Sequence, residues 1–150
     1  MSDLQCPVTI LLVPSLDADR GRVLAERLAD RRLAHVWTST QAGSLQTARI
    51  VAARYRLMMT IRAELDELDP DRIASAEFGR GPLARAGDVL TELADLHRGE
   101  TVLVVSHPGW LNLVVPALPR LRVEPVAEPS LIEVIADADD WVCTSWEPLD

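Results

Sequence analysis

The side chain best placed to do chemistry in this chain stands where an apolar run gives out. In TVLVVSHPGW, residues 101–110, Val102 to Val105 are aliphatic and Ser106, His107, Pro108 and Gly109 follow at once. A buried strand ending in Ser-His delivers an imidazole to the carboxyl edge of a sheet, where open α/β proteins hold their ligands. An imidazole titrates near neutral pH and can act there as acid, base or nucleophile. The plain alternative is a loop histidine bonded to nearby backbone. The carboxylates Glu64, Asp66, Glu67, Asp69 and Asp71 lack the alternating spacing of a calcium loop, so a hydrated loop is expected and no metal. Trp110, Trp141 and Trp146 either line a pocket mouth or pack at core and edge. His35 starts a strand and His97 ends a helix, where a cation suits the helix dipole, so both have structural explanations.

The elements that must position His107 follow from periodicity. Val8 to Val13 is a continuous aliphatic and β-branched run ending at Pro14, as in a strand buried on both faces. Asp17 or Asp19 can cap an amphipathic helix over Arg20 to Arg32, with Val23, Leu24, Leu28 and Leu33 recurring at helical spacing. A strand over His35 to Ser39, a helix over Ser44 to Arg56 and a strand over Leu57 to Ile61 come next. The polar, acidic stretch from Arg62 to Asp88, punctuated by Gly79 and Gly81, reads as a surface excursion or lid. Ala86 to His97 is a helix presenting Val89, Leu90, Leu93 and Leu96, ended by Gly99 before the strand at Val102. Trp110 to Leu118 is a short helix that Pro116 stops early. SLIEVIADADDWVCTSWE forms an antiparallel edge hairpin about Asp137 to Asp140. Alternating strands and helices predict a single α/β domain: a three-layer α/β/α sandwich on a mostly parallel sheet.

With this order of elements, TVLVVSHPGWLNLVVPAL resembles the second-histidine segment of the histidine phosphatase, or phosphoglycerate-mutase-like, superfamily. WTSTQAGSLQTARIVAARY resembles that family's Ser-Pro-Leu-x-Arg-x-x-Gln-Thr-Ala helix start, with Ser39, Gln46, Thr47 and Ala48 in step. AELDEL resembles its acid segment, putting Glu67 at the acid position, with Glu64 the alternative if the loop shifts. The resemblance runs from Val8 to the closing hairpin and implies a phosphoglycerate-mutase-like fold. It also implies a cleft bordered by Ser39, Gly43, Ser106 and Gly109.

The family's defining feature is absent. Its first strand ends in Arg-His-Gly, whose histidine takes the phosphoryl group; here Pro14, Ser15 and Leu16 occupy those places. Gly43 replaces the arginine of the helix segment, and Pro108 offers no N–H after the surviving histidine. Removing one aimed donor commonly costs about 2.7–4 kcal/mol of transition-state stabilisation, so three losses leave little standard activity. A serine hydroxyl needs a base to become a nucleophile. If Ser15 ends its strand beside His107, the pair has the arrangement of a serine hydrolase with Glu67 as orienting acid. Otherwise Pro14 and Ser15 form a turn and helix cap. Arg20, Arg22, Arg80 or Arg85 could return positive charge from flanking loops, or be solvated surface arginines.

Composition narrows the classes. The chain has 150 residues, a formal net charge of −8 and 15 basic residues, all arginine, which excludes a basic nucleic-acid surface. Cys6 and Cys143 have no metal-type spacing and read as buried thiols or a terminal disulfide. The start MSDLQCPVTILLV lacks a basic leader region, and no run reaches the ~18 apolar residues of a membrane span, so a cytoplasmic protein without membrane contact is expected. No cofactor is expected. Three functions fit: a degenerate family member whose cleft binds a small metabolite, an anionic one included, or regulates; an active enzyme, either an unusual phosphatase or a hydrolase or isomerase using Ser15, His107 and Glu67; or a non-catalytic interaction subunit, with a homodimer open.

Overall fold

A computed structural model describes residues 6–68, 82–118, 121, 129–137 and 140–149. The chain order is β1 Val8–Pro14, α1 Ala18–Arg27, β2 Leu33–Thr38, α2 Ala42–Tyr55, β3 Met59–Ile61, α3 Pro82–Leu96, β4 Thr101–Ser106, α4 Pro108–Val114, β5 Ser130–Asp137 and β6 Asp140–Pro148. Short 3-10 turns at Ala63–Leu65 and Val115–Ala117 follow β3 and α4. The six strands form one sheet in the order β3-β2-β4-β1-β5-β6. The first four are parallel, and β5 and β6 add antiparallel pairs. This is the α/β architecture expected, with its antiparallel edge hairpin.

The aliphatic runs are central because both faces of the sheet are covered. Alternate residues of β1 and β4 point to opposite cores. Ile10, Leu12, Val102 and Val104 pack with Leu90, Leu93, Trp110 and Val114 of α3 and α4. Leu11, Val13, Leu103 and Val105 pack with Leu24, Leu28, Ala48 and Val51 on the α1–α2 side. The two helical layers therefore close over the middle strands and leave the strand ends open.

Several boundaries differ from the periodicity. The first helix is capped by Asp17, whose carboxylate accepts from the Arg20 N–H at 2.8 Å, and it ends at Arg27. Arg32 has φ 53°, and Leu33 opens β2 instead of closing the helix. Val23 and Leu96 are exposed, because α1 and α3 turn Leu24, Leu28, Leu90 and Leu93 inward. The α3 helix begins before Ala86, at Pro82, and α4 begins at Pro108, with Pro116 in the 3-10 turn that ends it. Cys6 and Cys143 are not joined in a disulfide. Trp110 and Trp141 belong to the core. Arg80, Asp69, Asp71 and the centre of the expected lid lie outside the described residues.

His35 and His97 do not act separately. Their rings lie 5.4 Å apart, and the Trp37 indole N–H donates to His97 Nε2 at 3.1 Å. His97 Nδ1 therefore carries its proton toward Glu100 Oε1, 2.8 Å away. Burial and the neighbouring imidazole push the His35 pKa down.

Candidate functional site

Three strand ends meet at His107. Pro14 of β1 and Ser106 of β4 are register partners, and the Ser15 N–H donates to the Ser106 carbonyl at 2.9 Å. The Ser39 N–H, just past β2, donates to the Val105 carbonyl at 3.2 Å. Ser15, Ser39 and His107 thus leave the sheet side by side. Thr47, the middle residue of Gln-Thr-Ala, ties the loop after Ser15 onto α2: its hydroxyl accepts from the Leu16 N–H at 2.8 Å and donates to the Leu16 carbonyl at 3.0 Å.

The hydrogen bond of the His107 ring runs to Ser39, with Oγ and Nε2 2.8 Å apart. Ser39 Oγ also bonds Ser44 Oγ, and Ser44 donates to the Gln41 carbonyl at 3.0 Å. Each serine has one proton. With the Ser44 proton on Gln41, the Ser39 hydroxyl fills the bond to Ser44. His107 Nε2–H then donates to Ser39, which fixes the tautomer and leaves Nδ1 as the basic nitrogen. Gln41 and Ser44 were not singled out by the sequence, because only the fold of the α2 start onto β2 brings them to the imidazole.

The acid segment is bound to the start of α4. Glu67 accepts from the Trp110 N–H at 2.8 Å, the Gly109 N–H at 3.4 Å and its neighbour Leu68 N–H at 3.1 Å. The first two are orphan donors of a helix start, satisfied here by the chain's own carboxylate. Gly109 is needed for this approach, since a Cβ there would lie 2.9 Å from the Glu67 carboxyl carbon and 3.0 Å from the Leu68 carbonyl oxygen. The segment is clamped further by Ser106 Oγ donating to the Leu65 carbonyl at 2.6 Å and Trp110 Nε1 donating to the Glu64 carbonyl at 2.8 Å. Asp66 accepts from the Thr40 N–H at 2.7 Å, and the Gln41 side-chain oxygen accepts from the Glu67 N–H at 3.0 Å. Of the two acids left open by the sequence, Glu67 meets the α4 start and Glu64 pairs with Arg62 at 3.0 Å.

The remaining candidates are distributed around this centre. Gly43 lies in the first turn of α2, where an added Cβ would stand 3.3 Å from Ser15 Cβ. Arg20 is exposed on α1. Arg22 pairs with Asp19 at 2.6 Å and is largely in solvent. His107 is 8% exposed, and burial lowers its pKa against the opposing pull of Glu67 and Asp66. The imidazole is therefore neutral at pH 7.

This shift sets a pH dependence. An unfolded histidine takes its proton near a pKa of about 6.5, whereas folded His107 resists until lower pH. Below that unfolded value the unfolded chain binds more protons, so stability present above it is lost as pH falls through the lowered folded pKa. His107→Asn is expected to flatten the stability decline below pH ~6.5 by up to about one proton's worth, about 1.4 kcal/mol per pH unit. Urea unfolding at a series of pH values measures it, and an unchanged slope would contradict the shift.

The arrangement matches known proteins. Residues 19–79 match the model of the histidine phosphatase superfamily (branch 1). A phosphoglycerate mutase-like protein 4 from Arabidopsis thaliana is 26% identical over 166 residues, covering 85% of this chain and 72% of that protein. A phosphoglycerate mutase from Bacillus anthracis shares the fold at a TM-score of 0.79 and 13% identity, covering 97% of this chain and 95% of that one. A phosphoserine phosphatase from Entamoeba histolytica does so at a TM-score of 0.70 and 14% identity, covering 93% and 96%. With the Ser-His strand end, the Gln-Thr-Ala helix and the acid segment joined at one edge of the sheet, this chain resembles the histidine phosphatase superfamily in sequence over residues 19–79 and shares the phosphoglycerate-mutase-like fold.

Proposed function

We propose that the protein has given up standard phosphohydrolase chemistry and keeps its cleft to bind a small metabolite or to regulate. The observation that carries this reading is the pair of strand ends. Beside Ser106–His107, where the family presents its nucleophilic histidine, β1 presents Ser15. An imidazole attacks phosphorus unaided at neutral pH, and a hydroxyl does not. Gly43 brings no cation to Ser15, and the nearest described acids, Asp66 and Glu67, disfavour a highly charged anion. A small uncharged ligand suits such a cleft better than a phosphomonoester.

The second reading is an active enzyme on Ser15, His107 and Glu67. The adjacency of Ser15 and His107 favours it. Against it stand the bonds already described: Nε2 is engaged by Ser39, and Glu67 is committed to backbone N–H groups of α4.

A phosphomonoester panel including phosphoserine, run on the wild type, His107→Ala and Ser15→Ala, separates the two. Equal background rates in all three are expected. Turnover that disappears in His107→Ala rejects the non-catalytic reading, and its further loss in Ser15→Ala favours the serine enzyme.

A further inference from the structure

A second cluster of titratable groups lies away from His107, where the carboxyl end of α3 meets β2. His35 is the register partner of Val102 near the start of β4, and Trp37 follows on the same face of β2. The His35 ring lies 5.3 Å from the Trp37 ring and 5.4 Å from the His97 ring, and its Nε2 is 2.7 Å from Thr60 Oγ1 of β3. His97, one residue past α3, is held by two bonds at once. Its Nε2 accepts from the Trp37 indole N–H at 3.1 Å, and its Nδ1 donates to Glu100 at 2.8 Å.

That pair of bonds exists in one protonation state only. An indole N–H can only donate, so His97 Nε2 accepts it by carrying no proton of its own. Nδ1 already holds one, and the next proton to enter the ring therefore lands on Nε2. Two N–H groups would then face each other across 3.1 Å, and the bond to Trp37 is lost.

The surroundings direct that proton to His97. Its Nδ1 faces a carboxylate, whereas His35 faces the Thr60 hydroxyl. Burial and the neighbouring imidazole push the His35 pKa down against the pull of Glu100. The other charges at this end of α3 are paired, Arg98 with Asp95 at 3.1 Å and Glu92 with Arg62 at 2.6 Å. From the start of the chain Cys6 brings a thiol toward Gly99, where an added Cβ would stand 3.6 Å from its own.

The group that yields is the imidazole. Trp37 is 5% exposed and belongs to a strand paired on both sides, while His97 stands where the helix has already ended. Val89, Leu90 and Leu93 keep the body of α3 on the sheet, so the change is confined to its last turn and the chain leading to β4.

We propose that the Trp37–His97 bond is a pH-operated latch: neutral His97 ties the carboxyl end of α3 to β2, and protonation of its Nε2 releases that end toward Glu100 and solvent. Imidazoles change charge between about pH 5 and 8, so the latch works within the range a cell can reach.

The test follows the whole protein by proton–nitrogen NMR from about pH 8 down to about pH 5. The Trp37 indole resonance is assigned by its loss in Trp37→Phe, and the His97 ring nitrogens by their loss in His97→Gln. The expected result is an upfield move of the Trp37 indole proton with the same midpoint as protonation of His97 Nε2. Over the same range the His97 and Glu100 amides, bonded to the Leu93 and His97 carbonyls, lose about tenfold in exchange protection, the worth of roughly one hydrogen bond. His97→Gln offers Trp37 an amide oxygen and does not titrate, so its indole and amide signals are expected to hold steady; His35→Gln is expected to keep the transition. A Trp37 indole that stays fixed while His97 titrates, or protection that is unchanged through the titration, would overturn the latch. So would a transition that persists in His97→Gln or disappears in His35→Gln, because another group would then be taking the proton.

Discussion

Replacing Trp110 by alanine is expected to cost about 3–5 kcal/mol of folding stability. The indole is fully buried in the core beneath the cleft, so truncation opens a cavity that surrounding strands cannot collapse to fill. It also strands the Glu64 carbonyl, which loses the 2.8 Å bond from Nε1. Trp110→Phe keeps most of the packing and loses that donor, and about 1–3 kcal/mol is expected. Guanidinium unfolding of the two variants gives both values. An alanine variant with the wild-type midpoint would mean that Trp110 does not hold the acid segment to α4.

The second large effect is at Gly109. Gly109→Ala pushes a methyl into the Glu67 carboxylate and the Leu68 carbonyl, and overpacking of this kind costs about 1–3 kcal/mol. Glu67→Ala alone removes a carboxylate from helix-start N–H groups and is expected to cost about 1 kcal/mol. Together the two should cost less than their sum, because the truncated acid no longer meets the new methyl. Full additivity in a double-mutant cycle would show that Glu67 is not what makes glycine necessary. The argument matters for function, since it makes Glu67 a structural anion at a place where a bound ligand would otherwise meet the same donors.

Much of the frame was legible before any coordinates. Val8 to Val13 and Val102 to Val105 announced central strands because only a sheet covered on both faces accepts unbroken aliphatic runs. Pro116 and the acidic turn at 137–140 marked ends that the chain respects. Boundaries slipped where local signals competed. The spacing of Leu33 fits the helix, yet the left-handed Arg32 turns the chain and hands Leu33 to β2. Val23 and Leu96 followed helical spacing and still face solvent, because neighbouring helices decide which flank of an apolar stripe is covered.

What the sequence by itself determined was the order of elements, the Ser-His strand end, and the Pro14, Ser15 and Leu16 that follow the first aliphatic run. Those are properties of residue type and period. Only the tertiary structure decided that His107 bonds Ser39 and that Glu67 rather than Glu64 reaches α4. Both depend on groups 68 and 43 positions apart being brought within about 3 Å, the range at which a hydrogen bond forms. Periodicity reports which face a residue occupies, and it carries no information on which distant partner will share that face.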